Sequence, residues 1–214
     1  MTLIGVLALA GCGGSSPPEP TTLVATLGDS ITAGSPGFDP DARMRDVLGF
    51  GADEKSQWQD WAQKAHPELS FRNCGVYGQR TDEIARRLGD CARDAKVLIV
   101  QGGINDIAQG RSVEKAAENL RRMVERGKAL GLKVALVELL PWNNGYPEAD
   151  PKIRHLNELI HGIAKDEQVP VLRFYSTLED PARPGRMREE WTSDGDHPSV
   201  EGYRLLGERA FRLP

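Results

Sequence analysis

Ser30 follows Gly28 and Asp29 directly behind the apolar run Leu23-Val24-Ala25-Thr26-Leu27. A hydroxyl at the end of a buried strand is well placed to meet a substrate, but it is a weak nucleophile until a base takes its proton. The other end of the chain offers that base in Asp194-Gly195-Asp196-His197-Pro198. An Asp three residues before a His can fold back in a turn so that its carboxylate reaches the ring Nδ1. Serine, imidazole and carboxylate in that relation are the groups of acyl transfer. Asp196 is the other carboxylate candidate, but adjacent side chains diverge, so Asp194 is preferred. The imidazole must be neutral to act as base, so turnover should fall on acidification.

Two further loops carry polar groups. Asn73-Cys74-Gly75-Val76-Tyr77-Gly78 precedes a helix start at Thr81-Asp82-Glu83, and a helix N-terminus offers free N–H groups to a developing oxyanion. Gly102-Gly103-Ile104-Asn105-Asp106 follows a buried strand, and Asn105 can supply a side-chain N–H or cap the next turn. Taken singly each is a weak signal: Gly-Asp-Ser is usually a turn, and Asp-x-x-His is common by chance.

The elements that must bring these loops together are legible in the hydrophobic pattern. Strands are expected at 23–27, 69–73, 96–101, 133–139 and 169–174. Helices are expected at 57–65, 81–88, 113–130, 151–166 and 200–211, with Thr81 or Asp82 as N-cap of the second. Strands apolar on both faces and alternating with helices predict a parallel sheet covered on both sides. Such sheets bind ligands at the carboxyl ends of their strands, where Ser30, the Asn73–Gly78 loop and Asn105 would meet.

In order and content the four blocks (Gly-Asp-Ser, Gly, Gly-x-Asn-Asp, Asp-x-x-His) resemble the SGNH, or GDSL-type, hydrolase family, over nearly the whole chain from Leu23 onward. The resemblance implies an α/β fold, a flavodoxin-like three-layer α/β/α sandwich on a central parallel five-stranded sheet, and hydrolysis of carboxylic esters without cofactor or metal. It implies Ser30 as nucleophile, Asp194 and His197 as its partners, and an oxyanion hole made by the Ser30 N–H, Gly78 and Asn105. Gly75 competes with Gly78 for the second block. Gly78 lies nearer Thr81, although Gln79-Arg80-Thr81 replaces the commoner Gly-x-Thr spacing. Family substrates include simple esters, acylated sugars, lysophospholipids and thioesters; a small acyl ester or an acetylated glycan is the expected substrate. Rival readings are a metal-dependent phosphoesterase using Asp29, Asn105, Asp194 and His197, and a silent binding module. The first is short of ligands, since His66, His155 and His161 lack ligand spacing.

A chain of 214 residues is enough for one domain with a substantial core, and a net charge of −4 makes nucleic acid an unsuitable partner. The pairs Arg86-Arg87 and Arg121-Arg122 read as solvated helix faces. Residues 1–11 resemble a lipoprotein signal peptide ending at Leu9-Ala10-Gly11-Cys12, although Met1-Thr2 carry no basic residue. Cys12 would then be lipidated, residues 12–22 would be a flexible tether, and 23–214 the hydrolase domain, anchored at a bacterial cell envelope. Export would leave Cys74 and Cys91 as an even pair, either disulfide-bonded or separately buried; a bond there would contribute about 3 kcal/mol. The Gly34–Ser56 segment reads either as a lid or wall or as a surface excursion with a short helix at 43–48. Trp58 and Trp61 read as core anchors. Trp142, after the fourth strand, could line the substrate site or pack beneath its loop.

Overall fold

The computed structural model describes residues 22–214. The expectations for 1–11 and for Cys12, and all of the tether but Thr22, fall outside the described residues. Five parallel strands form one sheet in the order β2-β1-β3-β4-β5. They are β1 (Thr22–Gly28), β2 (Leu69–Gly75), β3 (Val97–Val100), β4 (Lys133–Val137) and β5 (Val171–Leu172). This is the flavodoxin-like order, with its switch point between β1 and β3.

Alternate strand residues enter two separate cores, one on each face of the sheet. Ala25, Leu27, Leu98, Val100, Val134 and Leu136 pack on one side. That side is covered by α4 (Thr81–Arg86), α5 (Leu88–Cys91), α7 (Val113–Ala129) and α8 (Asp150–Glu167). Val24, Val97, Ile99, Ala135 and Val137 face the other core with Trp58, Phe174 and Phe211. There α3 (Trp58–Ala65), α9 (Phe174–Leu178) and α10 (Val200–Leu205) close the layer. Trp58 is fully buried, whereas Trp61 sits at the rim with its indole N–H on the Lys55 carbonyl.

Several elements differ from the periodicity reading. The fifth strand is only two residues long, and Phe174 opens a helix instead of ending the strand. The buried Glu138 carboxylate accepts the Tyr175 N–H, which satisfies a first-turn donor of α9 and favours helix there. The final helix passes at Leu206–Ala210 into a π-turn. Neither Thr81 nor Asp82 is the N-cap of α4; Arg80 is. Thr81 instead gives both its N–H (2.9 Å) and its hydroxyl (2.8 Å) to Asp106.

The 34–56 segment folds back on itself. Phe38 bridges Ala52, and Gly51 and Asp53 donate to the Pro36 and Gly37 carbonyls. It carries α2 (Ala42–Leu48), which has no buried residue. Its Phe50 ring reaches Tyr77 edge-on at 5.1 Å, so the segment forms a wall beside the carboxyl edge of the sheet.

Candidate active site

β1 delivers Ser30 through a tight turn into α1 (Ser30–Ala33). Asp29 caps that short helix: one carboxylate oxygen accepts the Ile31 N–H at 3.0 Å and the other the Gln101 amide at 3.0 Å. The Gln101 carbonyl oxygen in turn accepts the Thr32 hydroxyl (2.8 Å) and the Asp29 N–H (3.2 Å). A Cβ on Gly28 would overlap both Thr32 and Gln101, so only glycine lets the turn close. Burial lifts the Asp29 carboxyl to about 6 despite the bonds from Ile31 and Gln101.

Ser30 is 5% exposed, and its Oγ lies 3.1 Å from His197 Nε2. Asp194 Oδ2 lies 2.8 Å from His197 Nδ1. The other Asp194 oxygen accepts the backbone N–H groups of Asp196 (2.9 Å) and His197 (2.7 Å). This is the folded-back turn expected from the three-residue spacing. Burial raises the Asp194 carboxyl, but the bonds from His197 and Asp196 together outweigh it and hold the group below the usual range. Asp196 points elsewhere: it accepts the Trp142 indole N–H at 2.5 Å and the Asn144 amide at 2.7 Å. Asp194, Asp196 and His197 lie close enough to bracket an ion, yet each is already engaged in these bonds.

The second and third loops meet the first. Asn105, on α6 (Ile104–Ala108), donates its side-chain N–H to the Gln79 carbonyl at 3.0 Å, beside Gly78. The backbone N–H groups of Ser30 and Gly78 make no hydrogen bond to any described residue. Gly75 differs: its N–H is taken by Asn73 Oδ1 at 2.9 Å, and a Cβ there would strike the Ala33 backbone. Close packing of β2 against α1 explains Gly75, and Gly78 keeps its donor free of described partners.

Trp142 lies in the loop after β4, near the His197 turn. It lines a small niche with Ile31, Ile104, Leu139, Leu140 and Pro141, and its N–H braces the His197 turn through Asp196. Cys74 and Cys91 are disulfide-bonded. Three neighbours of the site had no separate signal in the sequence. Tyr77 is 43% exposed, with its ring centroid 6.2 Å from that of His197. Asn144 supports Asp194 through that residue's carbonyl at 2.9 Å. Arg87 is no solvated helix face: it is half-buried and bonded to three acceptors, whereas its neighbour Arg86 points to solvent.

A doubly covered parallel sheet with serine, imidazole and carboxylate at its switch point holds the groups that a serine hydrolase uses. Residues 26–205 match the model of the GDSL-like Lipase/Acylhydrolase family, and the chain belongs to that family. It is a carboxylic ester hydrolase. No curated protein sequence matches the chain. Among solved structures it is similar to a G-D-S-L family protein from Desulfitobacterium hafniense DCB-2 (TM-score 0.73, 24% identity, covering 88% of this chain and 97% of that one). It is also similar to a member of the lipolytic protein G-D-S-L family from Veillonella parvula DSM 2008 (0.69, 21%, 87% and 94%). A mutant of an acetyl-xylooligosaccharide esterase from Geobacillus has the same fold (0.67, 17%, 90% and 93%).

Proposed function

We propose that the chain is a serine esterase that removes short acyl groups, acetyl above all, through an acyl-enzyme formed on Ser30. The observation that carries this reading is the continuous path Ser30 Oγ–His197 Nε2 (3.1 Å) and His197 Nδ1–Asp194 (2.8 Å). His197 takes the Ser30 proton as Oγ attacks the ester carbonyl, and Asp194 holds the ring in the tautomer that accepts it. The Ser30 and Gly78 N–H groups and the Asn105 amide receive the oxyanion, each such donor contributing about 3 kcal/mol to the transition state. His197 then protonates the leaving alcohol, and water repeats the cycle on the acyl-enzyme.

The preference for short acyl groups rests on the small, mostly apolar niche that opens at Ile31, the residue after Ser30, between Ile104, Leu139 and Trp142. Beside His197, the exposed Tyr77 ring with the half-buried Phe50 ring edge-on to it forms an aromatic wall suited to the apolar face of a sugar ring. An acetylated glycan therefore fits both halves of the site. The test is a panel of nitrophenyl esters from acetyl to palmitoyl together with acetylated xylo-oligosaccharides, with Ser30→Ala as control. The acetyl compounds should be turned over fastest. A maximum at long chains or thioesters would replace this substrate class with a lysophospholipase or thioesterase.

Lipidation at Cys12 and attachment to the cell envelope belong to the same proposal, on the strength of Leu9-Ala10-Gly11-Cys12. Cys12→Ala should move the protein from the membrane fraction to the soluble one.

A further inference from the structure

The three donors assigned to the oxyanion come from three separate loops, after β1, β2 and β3. Their spacing decides whether they converge, and one side chain touches the supports of all three. Arg87, the residue after α4, donates Nη2 to the Gly28 carbonyl at 2.9 Å, Nη1 to the Cys74 carbonyl at 2.6 Å and Nε to Gln79 Oε1 at 2.8 Å. Gly28 leads straight into Asp29-Ser30, and its carbonyl also accepts the Val76 N–H at 3.1 Å. Cys74 is the penultimate residue of β2, the strand from which the Gly78 loop departs. Gln79 follows Gly78, and its carbonyl holds the Asn105 amide at 3.0 Å.

The main chain of Arg87 is held as well. The Arg87 carbonyl accepts the Cys91 N–H at 3.0 Å, and Cys91 is disulfide-bonded to Cys74, whose own carbonyl is one of the three acceptors. The cystine thus anchors both the main chain of Arg87 and one of its targets.

We propose that Arg87 is a positioning residue for the oxyanion hole: its planar fork sets the spacing of the Ser30, Gly78 and Asn105 loops, and the Cys74–Cys91 bridge keeps the fork in register. This rests on the roles given above to Ser30, Gly78 and Asn105. A lysine cannot substitute, because a single ammonium on a flexible stem cannot hold three acceptors in one plane. Loss of the fork leaves Ser30, held by Asp29 and Gln101, in place with His197 but lets the Gly78 and Asn105 donors drift away from it, so the effect falls on the transition state and spares substrate binding.

The experiment measures kcat and KM on nitrophenyl acetate for Arg87→Lys, Arg87→Met and the exposed control Arg86→Met, with thermal unfolding of each. It also measures inhibition by a boronic acid, which adds to the serine and mimics the tetrahedral intermediate. Both Arg87 variants should lose kcat by about 10- to 100-fold with KM within about threefold, boronate affinity falling in parallel, while Arg86→Met matches wild type. The Cys74→Ala/Cys91→Ala variant should shift kcat the same way by a smaller factor. Arg87→Lys that stays folded with kcat within twofold of wild type overturns the inference. So does a kcat loss that leaves boronate affinity unchanged, or one that only follows the folded fraction in every variant. Ser30→Ala, run alongside, separates the two proposals: if it keeps turnover the serine mechanism fails, whatever Arg87 does.

Discussion

The two turns that supply Ser30 and His197 are built in opposite ways. The nucleophile turn is sunk in the molecule. Asp29 is fully buried and bonds to Ile31 and to buried Gln101, which in turn accepts the buried Thr32 hydroxyl, so the core itself sets the position of Oγ. The acid–base turn lies at the surface, with the Asp194 side chain 38% exposed. It is held by its own backbone N–H groups and by the loop after β4, where Trp142, Asn143 and Asn144 bond to Asp196, Gly195 and Asp194. With the roles proposed above, a rigid nucleophile is served by a base on a lightly supported loop that a second loop braces. Disturbance at the first turn should therefore cost folding as well as chemistry, whereas at the second it should cost chemistry first.

The hardest break is removal of the reacting groups. Ser30→Ala and His197→Ala should each lower kcat by about 10⁴-fold or more with the circular dichroism spectrum unchanged. Steady-state hydrolysis of nitrophenyl acetate checks this, and a Ser30→Ala enzyme within tenfold of wild type would contradict it. Asp194→Asn comes next, at about 10²- to 10⁴-fold, because the ring loses the partner that orients it.

The brace is a gentler test. Trp142→Phe removes only the indole N–H that holds Asp196 and should lower kcat by about 3- to 10-fold with little change in melting temperature. A comparable polar deletion in the nucleophile turn, Gln101→Leu, leaves one Asp29 oxygen and the Thr32 hydroxyl without their buried partner. It should lower stability by about 1–3 kcal/mol, measured by urea unfolding. Equal losses of stability in the two variants would erase the distinction between the turns.

The smallest effect is a difference in proton linkage. Burial puts the Asp29 pKa at about 6, above the unfolded value, so its contribution is present at low pH and is lost as pH rises through about 6. The Asp194 pKa lies below the ordinary range once its hydrogen bonds outweigh burial, so its contribution is present above that range and lost as pH falls. Urea unfolding followed across acid to neutral pH should show that Asp194→Asn removes part of the acid-side decline. Parallel profiles for variant and wild type would mean that the two carboxylates are not oppositely linked.

The parts of the site that the sequence reveals are those built from local pattern. The apolar run ahead of Gly28 announces a buried strand, and a three-residue spacing is enough to return the Asp194 carboxylate to the His197 ring. The order of the helices and strands leads to the parallel sheet by the same logic. What stays hidden depends on partners distant in the chain. Gly75 and Gly78 are alike as letters and separate only when Asn73 is seen to occupy the Gly75 N–H. Arg87 looks like Arg86 until the ends of β1 and β2 are brought to it. Phe174 continues an apolar run, but Glu138 starts a helix there from another strand's end. Trp142 gives no hint of Asp196, 54 residues away.

The central claim is that Ser30 alone is made nucleophilic, and by His197. Its most direct test is to treat wild type and His197→Ala with a fluorophosphonate and locate the adduct by tandem mass spectrometry. Wild type should carry a single phosphonyl group on Ser30, and His197→Ala should carry none on the same timescale. Labelling of another residue, or equal labelling of Ser30 in both proteins, would contradict it.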